Sequence, residues 1–348
     1  MSKIHFSGVN LKFNFGNKES TIIFSDEFRF PQERAVVIID TKVLSLYENE
    51  LHNFLKDLPV FALEASEENK SLQTISEIYE FFQDNDVNRS TVIYGIGGGI
   101  TTDIAGFAAS TYMRGCKLNF VPTTFLGMID AAIGGKTAVN FRRIKNNIGS
   151  FYPAEKIFIV SRFLKTLPEK ELNNGWAECI KISLIKPTDF YKILLSSEKK
   201  ISEAIIRKAI ELKAKICEED PFEKNIRKFL NLGHTFAHIF ESISNYKISH
   251  GTAVTLGIRS AAILSLRKKL IDENQFEKII YPFDLFGLPA KIDFSRNLLD
   301  ESAIEKIMRK DKKNTSKFNL ILFRAFQKVF VYETSETEEI RKVIEKVW

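Results

Sequence analysis

Cysteine and histidine are scarce in this chain of 348 residues, at three and five. Cys116, Cys179 and Cys217 are odd in number, far apart and without a CxxC pair, which excludes a disulfide framework or a thiolate zinc site and points to a reducing compartment. The opening stretch MSKIHFSGVNLKFNFGN lacks the apolar centre of a secretory signal, and no later run reaches transmembrane length. A soluble, cytoplasmic protein with no membrane partner is expected. Long Lys/Arg blocks are also missing. The 50 basic residues are interleaved with 44 acidic ones for a net charge of +6, so small anionic ligands are expected rather than nucleic acid. Repeats and low-complexity segments are absent too. Two phosphate fingerprints fail on spacing: GIGGGI puts Ile100 where GxGxxG needs its third glycine, and Asp130 stands where GxxxxGK[ST] needs its first.

Hydrophobic residues at 44% and charged residues at 27% are ordinary globular values, and the length suits two domains. The thirty phenylalanines are expected as core filler. Strand and helix signals alternate through the first half, the pattern of a parallel sheet with crossovers. AVVII is a buried strand ending at Asp40, an acid that suits a ribose-binding position, although taken alone a helix N-cap is the better reading. Val43 to Leu58 and Leu72 to Asn85 read as helices, and TVIYGI as a strand running into Gly97, Gly98 and Gly99. Three glycines opening a helix let backbone N–H groups approach a diphosphate, although a tight turn without ligand explains them as well. A loop around Lys136 suits phosphate or carboxylate, and Lys156 to Val160 is a further strand. From Ser161 onward amphipathic helix dominates, with a late strand pair and a final helix. The expected organisation is an α/β Rossmann-like domain over 1–165 and a mainly α-helical metal-binding domain over 166–348.

The stretch RKFLNLGHTFAHIFESISNYKISH gathers three histidines. Arg227, Asn231, His234 and His238 are spaced four, three and four apart, which predicts one polar face of a helix. Glu178 and Lys181 stand three apart in the apolar helix GWAECIKISLI, so both are expected to be partly buried. Two imidazoles and the Glu178 carboxylate suit a catalytic zinc with an open coordination position. Spacing nominates His234 with His238, and periodicity does not decide between His238 and His250 as the second imidazole. Lys136, Lys145, Lys181, Lys213, Arg227 and Lys312 supply cations for a phosphorylated, carboxylated substrate.

GGGITTDIAGFAASTYMRG, VPTTFLGMIDAAIGGKTAVN, KNNIGSFY, AECIK, LNLGHTFAH and HGTAV together resemble, in order, the 3-dehydroquinate synthases among the sugar phosphate cyclases. The resemblance runs from about Asp40 to Asp311. It implies a Rossmann-like and a helical domain with the active site in the cleft, and zinc, or cobalt, on Glu178, His234 and His250. It implies NAD along Asp40, Glu67 to Lys70, Gly98, Gly99, Ile100, Asp103, Thr123 and Thr124, with Lys136 and Lys145 near it. Substrate would meet Asp130, Lys136, Asn146, Lys181, Lys213, Arg227, Asn231, His238 and Lys312, with His238 active in proton transfer or phosphate contact. Arg114 resembles a residue that reaches the neighbouring subunit's site, so a homodimer is implied. The implied reaction turns 3-deoxy-D-arabino-heptulosonate 7-phosphate into 3-dehydroquinate and phosphate, with NAD reduced and then regenerated.

Several positions depart from the family pattern. Thr102 replaces a glycine before Asp103, Lys42 an asparagine, Ala131 and Ala132 serines, and Thr252 the acid of the usual HGE. These leave room for a cyclase acting on another sugar phosphate, or for a metal-dependent polyol dehydrogenase. Arg227 and Asn231 favour the carboxylated substrate.

Overall fold

The computed structural model describes residues 4, 6, 8–28, 30–31, 33–142, 144–245, 247–292 and 318–347. Its contacts divide the chain into two compact units: Met1–Glu171 with Ser202–Phe222, and Leu172–Ile201 with Glu223–Trp348. Among the described residues no helix is long and apolar enough to cross a membrane.

The first unit is built on a seven-stranded sheet. Its strands are β1 (Leu11–Phe15), β2 (Lys18–Ser25), β3 (Ala35–Asp40), β4 (Val60–Leu63), β5 (Val92–Gly97), β6 (Lys117–Pro122) and, after a separate hairpin, β9 (Lys156–Val160), in the order β1-β2-β9-β6-β5-β3-β4. Only β1 and β2 pair antiparallel, and every other neighbour is parallel. The apolar runs AVVII and VIYGI are fully buried, as strands covered on both faces must be. Phenylalanine does fill this core: the Phe30 ring meets Phe158 edge-on at 5.2 Å, and Phe54 meets Tyr94 in the same way. From β3 the chain builds outward to β4 and then returns to the other side for β5, so the order reverses between β3 and β5. Ligands of open α/β sheets bind beyond the carboxyl ends of the strands at such a point, and here those ends carry Asp40 and Gly97.

Helix α1 (Thr41–Leu46) follows β3 directly and α2 (Glu48–Leu55) follows after Tyr47, so the expected single helix from Val43 is two. Helices α3 (Leu72–Asp84) and α4 (Gly99–Thr111) precede and follow β5. The segment between β6 and β9 forms a hairpin of β7 (Lys136–Phe141) and β8 (Ile144–Phe151).

In the second unit α5 (Glu169–Ile185) leads to α6 (Phe190–Ser196). The chain then returns to the first unit as α7 (Glu203–Glu219), which packs on β1 and on the turn Gly127–Ala131. A linear reading with one boundary at 165 does not contain this excursion. Periodicity shows that α7 has an apolar face, with Ile206, Ala209 and Ile210 fully buried, but not what that face meets.

After α7 come α8 (His234–Ile243), α9 (His250–Arg267), α10 (Glu273–Leu285), the hairpin β10 (Phe318–Ala325) with β11 (Lys328–Thr334), and α11 (Thr337–Val347). The polar stripe from Arg227 to His238 is not one helix. Ile226–Asn231 is a 3₁₀ segment, and Gly233 at φ 78° breaks the chain before α8 starts at His234. The break lets α8 cross α9 at close range: a Cβ on Gly257 would lie 2.1 Å from the Gly233 carbonyl oxygen. Gly257→Ala is therefore expected to destabilise the fold by about 1–3 kcal/mol. Chemical denaturation measures this, and an unchanged midpoint would show that the two helices are not in register here.

Candidate functional site

In the second unit, α5 carries Glu178 with no exposed surface. His234 opens α8 and His250 opens α9, and their Nε2 atoms lie 3.7 and 3.0 Å from Glu178 Oε1. One ligand atom from each of the three falls within 4.8 Å of the others, which suits a single metal ion. The structure therefore groups His250, not His238, with His234 and Glu178. The His238 side chain is exposed, its ring 6.2 Å from that of His234. Buried Lys181, one turn beyond Glu178, puts its ammonium against Glu178 Oε2.

These groups set one another's protonation. Burial acts to raise the Glu178 carboxyl, but Lys181 and the two imidazoles outweigh it and hold it well below the usual carboxylate range. Burial, reinforced by Lys181, pushes His234 down to about 3. Burial also acts to lower His250, yet hydrogen bonding and charge from Glu178 and Glu241 pull it up to about 9. Lys181 and His250 thus share the task of offsetting the Glu178 charge, and a divalent ion held by the three donors would add to it.

Arg227 is buried on the 3₁₀ segment, and Asn231 at its end donates to Glu223 Oε1 at 2.7 Å. Glu223 escaped the reading of the sequence, because an acid in the run EEDPFEK looks like solvated surface. Lys312 lies outside the described residues.

In the first unit, Asp40 is the N-cap of α1 and accepts from the Lys42 N–H at 2.9 Å, which a ribose role leaves compatible with its second oxygen. Burial raises its carboxyl, partly offset by the Lys42 N–H. The glycine turn behaves as its composition requires: a Cβ on Gly97 would lie 2.4 Å from the Thr101 hydroxyl, and one on Gly98 3.1 Å from Thr124. Gly98 caps α4 without any side chain on its first amides, so those of Gly99 and Ile100 suit an anion. Thr123 is buried, and its N–H donates to the Gly97 carbonyl at 2.9 Å.

Beside this turn, buried Lys70 donates to Asp103 and to Asn146 at 2.5 Å each. Burial raises the Asp103 carboxyl and Lys70 pulls it back. Asn146, expected to meet substrate, stands at φ 51° on β8 with its side chain on Lys70. Lys145 sits 3.6 Å from Glu67, which in turn accepts from Asn140. Asp130 lies in the single π-turn Gly127–Ala131, and its Oδ1 accepts from Lys213 Nζ at 2.6 Å. Lys136 begins β7 with its side chain exposed. Met113, Arg114 and Gly115 form three consecutive positive-φ residues at 48, 64 and 120°, presenting Arg114 to solvent.

Residues 60–174 match the family model for the 3-dehydroquinate synthase N-terminal region, and residues 175–314 match that for the C-terminal region. The chain belongs to the 3-dehydroquinate synthase family. A 3-dehydroquinate synthase of Pelagibacter ubique is 36% identical over 342 residues, covering 91% of this chain and 92% of its own. Among solved structures, 2-deoxy-scyllo-inosose synthase complexed with carbaglucose-6-phosphate, NAD+ and Co2+ superposes with a TM-score of 0.87 at 26% identity, covering 98% of this chain and 100% of the other. A 2-epi-5-epi-valiolone synthase from Streptomyces hygroscopicus with NAD+ and Zn2+ bound gives a TM-score of 0.83 at 25% identity, covering 94% and 96%. The Rossmann-like and helical architecture read from the sequence is that of these cyclases.

Two departures from the family pattern have local explanations. Buried Thr102 satisfies its hydroxyl inside α4, donating to the Gly99 carbonyl at 3.1 Å. Thr252 sits in the cap of α9: its N–H donates to Ser249 Oγ at 3.2 Å, and the two hydroxyls pair at 3.0 Å. The grouping of the three donors predicts that His250→Ala loses tight zinc binding while His238→Ala keeps it. Metal content after dialysis against a weak chelator reads this directly, and equal loss in both variants would overturn the ligand assignment.

Proposed function

We infer that this chain is a 3-dehydroquinate synthase of the shikimate pathway, which converts 3-deoxy-D-arabino-heptulosonate 7-phosphate into 3-dehydroquinate and phosphate. The observation that carries the reading is the grouping of buried Glu178 with half-buried His234 and His250, in a chain matched in tandem by both family models. Related cyclases hold NAD+ with Co2+ or Zn2+, and the residues here fit both groups. Glu178, His234 and His250 would hold the metal. NAD would lie along Asp40, Glu67, Lys70 and Asp103, with its diphosphate at the Gly98 to Ile100 amides beside Thr123 and Thr124. When bound, NAD accepts and returns a hydride, and the metal polarises the oxygen at the carbon being oxidised.

The chain's own residues bind and orient the substrate and manage its protons. Lys136, Lys145, Lys213 and Lys312 supply positive charge for the phosphate, which leaves by β-elimination once the adjacent proton has become acidic. Asp130 holds the Lys213 ammonium in place. Arg227 and Asn231 suit the carboxylate, a group absent from sugar phosphates without an acid function. Exposed His238 is the proton carrier, and Lys181, against Glu178, adds a cation next to the metal. Ring opening and an intramolecular aldol closure complete the reaction, and because NAD would be regenerated no net oxidation occurs. Assembly as a homodimer in the cytoplasm belongs to the same proposal, with Arg114 on its positive-φ loop as the residue that reaches the neighbouring subunit.

With zinc and NAD supplied, the heptulosonate phosphate is expected to yield phosphate and 3-dehydroquinate in equal amounts, without accumulation of NADH. Phosphate release without the carbocycle would sink the assignment, and stoichiometric NADH would favour a polyol dehydrogenase. Arg227→Ala should lower kcat/KM for the carboxylated substrate by about 10- to 100-fold, the loss of a charge-assisted hydrogen bond. An unchanged kcat/KM would remove Arg227 from the substrate's recognition.

A further inference from the structure

Both imidazoles of the proposed metal set turn Nε2 toward Glu178, which leaves each Nδ1 to a different neighbour. For His234 that neighbour is the Leu232 carbonyl, 3.3 Å away. For His250 it is Glu241 Oε1 at 3.6 Å, a carboxylate that no spacing in the sequence singles out. Glu241 is 7% exposed and lies on α8 seven residues after His234. One helix thus delivers a ligand and, about two turns later, the acid behind the other ligand.

The His250 backbone is fixed by other means. The Gly251 N–H donates to Asn174 Oδ1 at 2.7 Å, and a Cβ on Gly251 would lie 2.6 Å from the Asn174 Cα. Asn174 stands one turn before Glu178 on α5. The Ser249 cap holds the next amide, Thr252. With its Cα set in this way, His250 keeps only its two side-chain torsions, and carboxylates on opposite edges of the ring determine both.

We propose that Glu241 is the positioning residue of His250. Its carboxylate faces the Nδ1 edge, favours the proton on that nitrogen by charge, leaves Nε2 as the ligating atom and makes the ring a stronger donor to a divalent cation. At 3.6 Å the contact is ionic and longer than a hydrogen bond. A cation seated on Nε2 leaves Nδ1–H as the ring's one donor, with Glu241 in front of it. Thr252, next but one to His250, is engaged in the helix cap and offers no carboxylate, whereas Glu241 on α8 faces the outer edge of the ring. This inference rests on Glu178, His234 and His250 being the ligands and goes beyond it, to what sets their affinity.

The test uses the full chain and two probes: zinc affinity by competition with a chromophoric chelator, and the visible absorption of the cobalt-substituted protein. Glu241→Ala is expected to weaken zinc binding about 10- to 100-fold and to shift the cobalt bands. Glu241→Gln keeps the shape and an acceptor oxygen without the charge, and should fall at the lower end of that range. It also decides the question if the alanine variant does not fold. Wild-type affinity with an unchanged cobalt spectrum in the folded Glu241 variants, alongside zinc loss in His250→Ala, would overturn the proposal and leave the ligand set standing. Zinc retained by His250→Ala would instead overturn the ligand set and the proposal with it.

Discussion

A carboxylate with no solvent contact, Glu178, is the constraint on which the second unit depends. Taking such a charge out of water costs several kcal/mol, and removing a partner from a buried pair typically costs about 3–5 kcal/mol, so compensating groups must be held in place. Lys181 comes from the same helix one turn on, but the imidazoles have to come from elsewhere. Bringing His234 and His250 to one oxygen requires the first residues of α8 and α9 to meet over α5. That approach leaves no room for a side chain where Gly257 faces the Gly233 carbonyl. The glycine pair and the helix break before His234 are thus packing consequences of an electrostatic requirement.

The first unit meets the same kind of requirement with different means. Lys70 is buried and finds both a carboxylate, Asp103, and an amide oxygen, Asn146. The amide arrives on the β7–β8 hairpin, whose register against the rest of the unit is pinned where the Asn140 N–H donates to the Lys70 carbonyl at 2.7 Å. One lysine thereby ties the start of α3, the middle of α4 and the hairpin together. Unsatisfied, the buried Lys70 ammonium would carry the desolvation penalty of a buried charge.

Much of this was legible in the residues. Strands buried on both faces leave unbroken apolar runs, so β3, β5 and β9 could be read directly, as could the turn whose three glycines admit no side chains. The ligand set needed more than spacing, which favours His238 as the partner of His234, and only three-dimensional proximity to Glu178 brings in His250. The break at Gly233 was hidden because Leu230, Leu232 and Phe236 carry an apolar rhythm across it. The hairpin strand IKNNIGSF escaped because it buries too little to show alternation. Glu241 escaped because a single acid on an amphipathic helix is ordinarily solvated, and nothing local marks the exception.

The return of α7 to the first unit bears on how the polypeptide can be made and divided. Residues Leu172–Ile201 of the second unit are synthesised before the helix that completes the first. The Lys213 to Asp130 contact closes a loop of 83 residues that contains them. Neither unit is therefore a contiguous segment. No single cut separates them, and exchanging one with a relative takes several junctions, including both ends of α7. During synthesis the sheet unit stays incomplete until residues near Phe222 have emerged, so the two units mature as interleaved halves rather than one after the other.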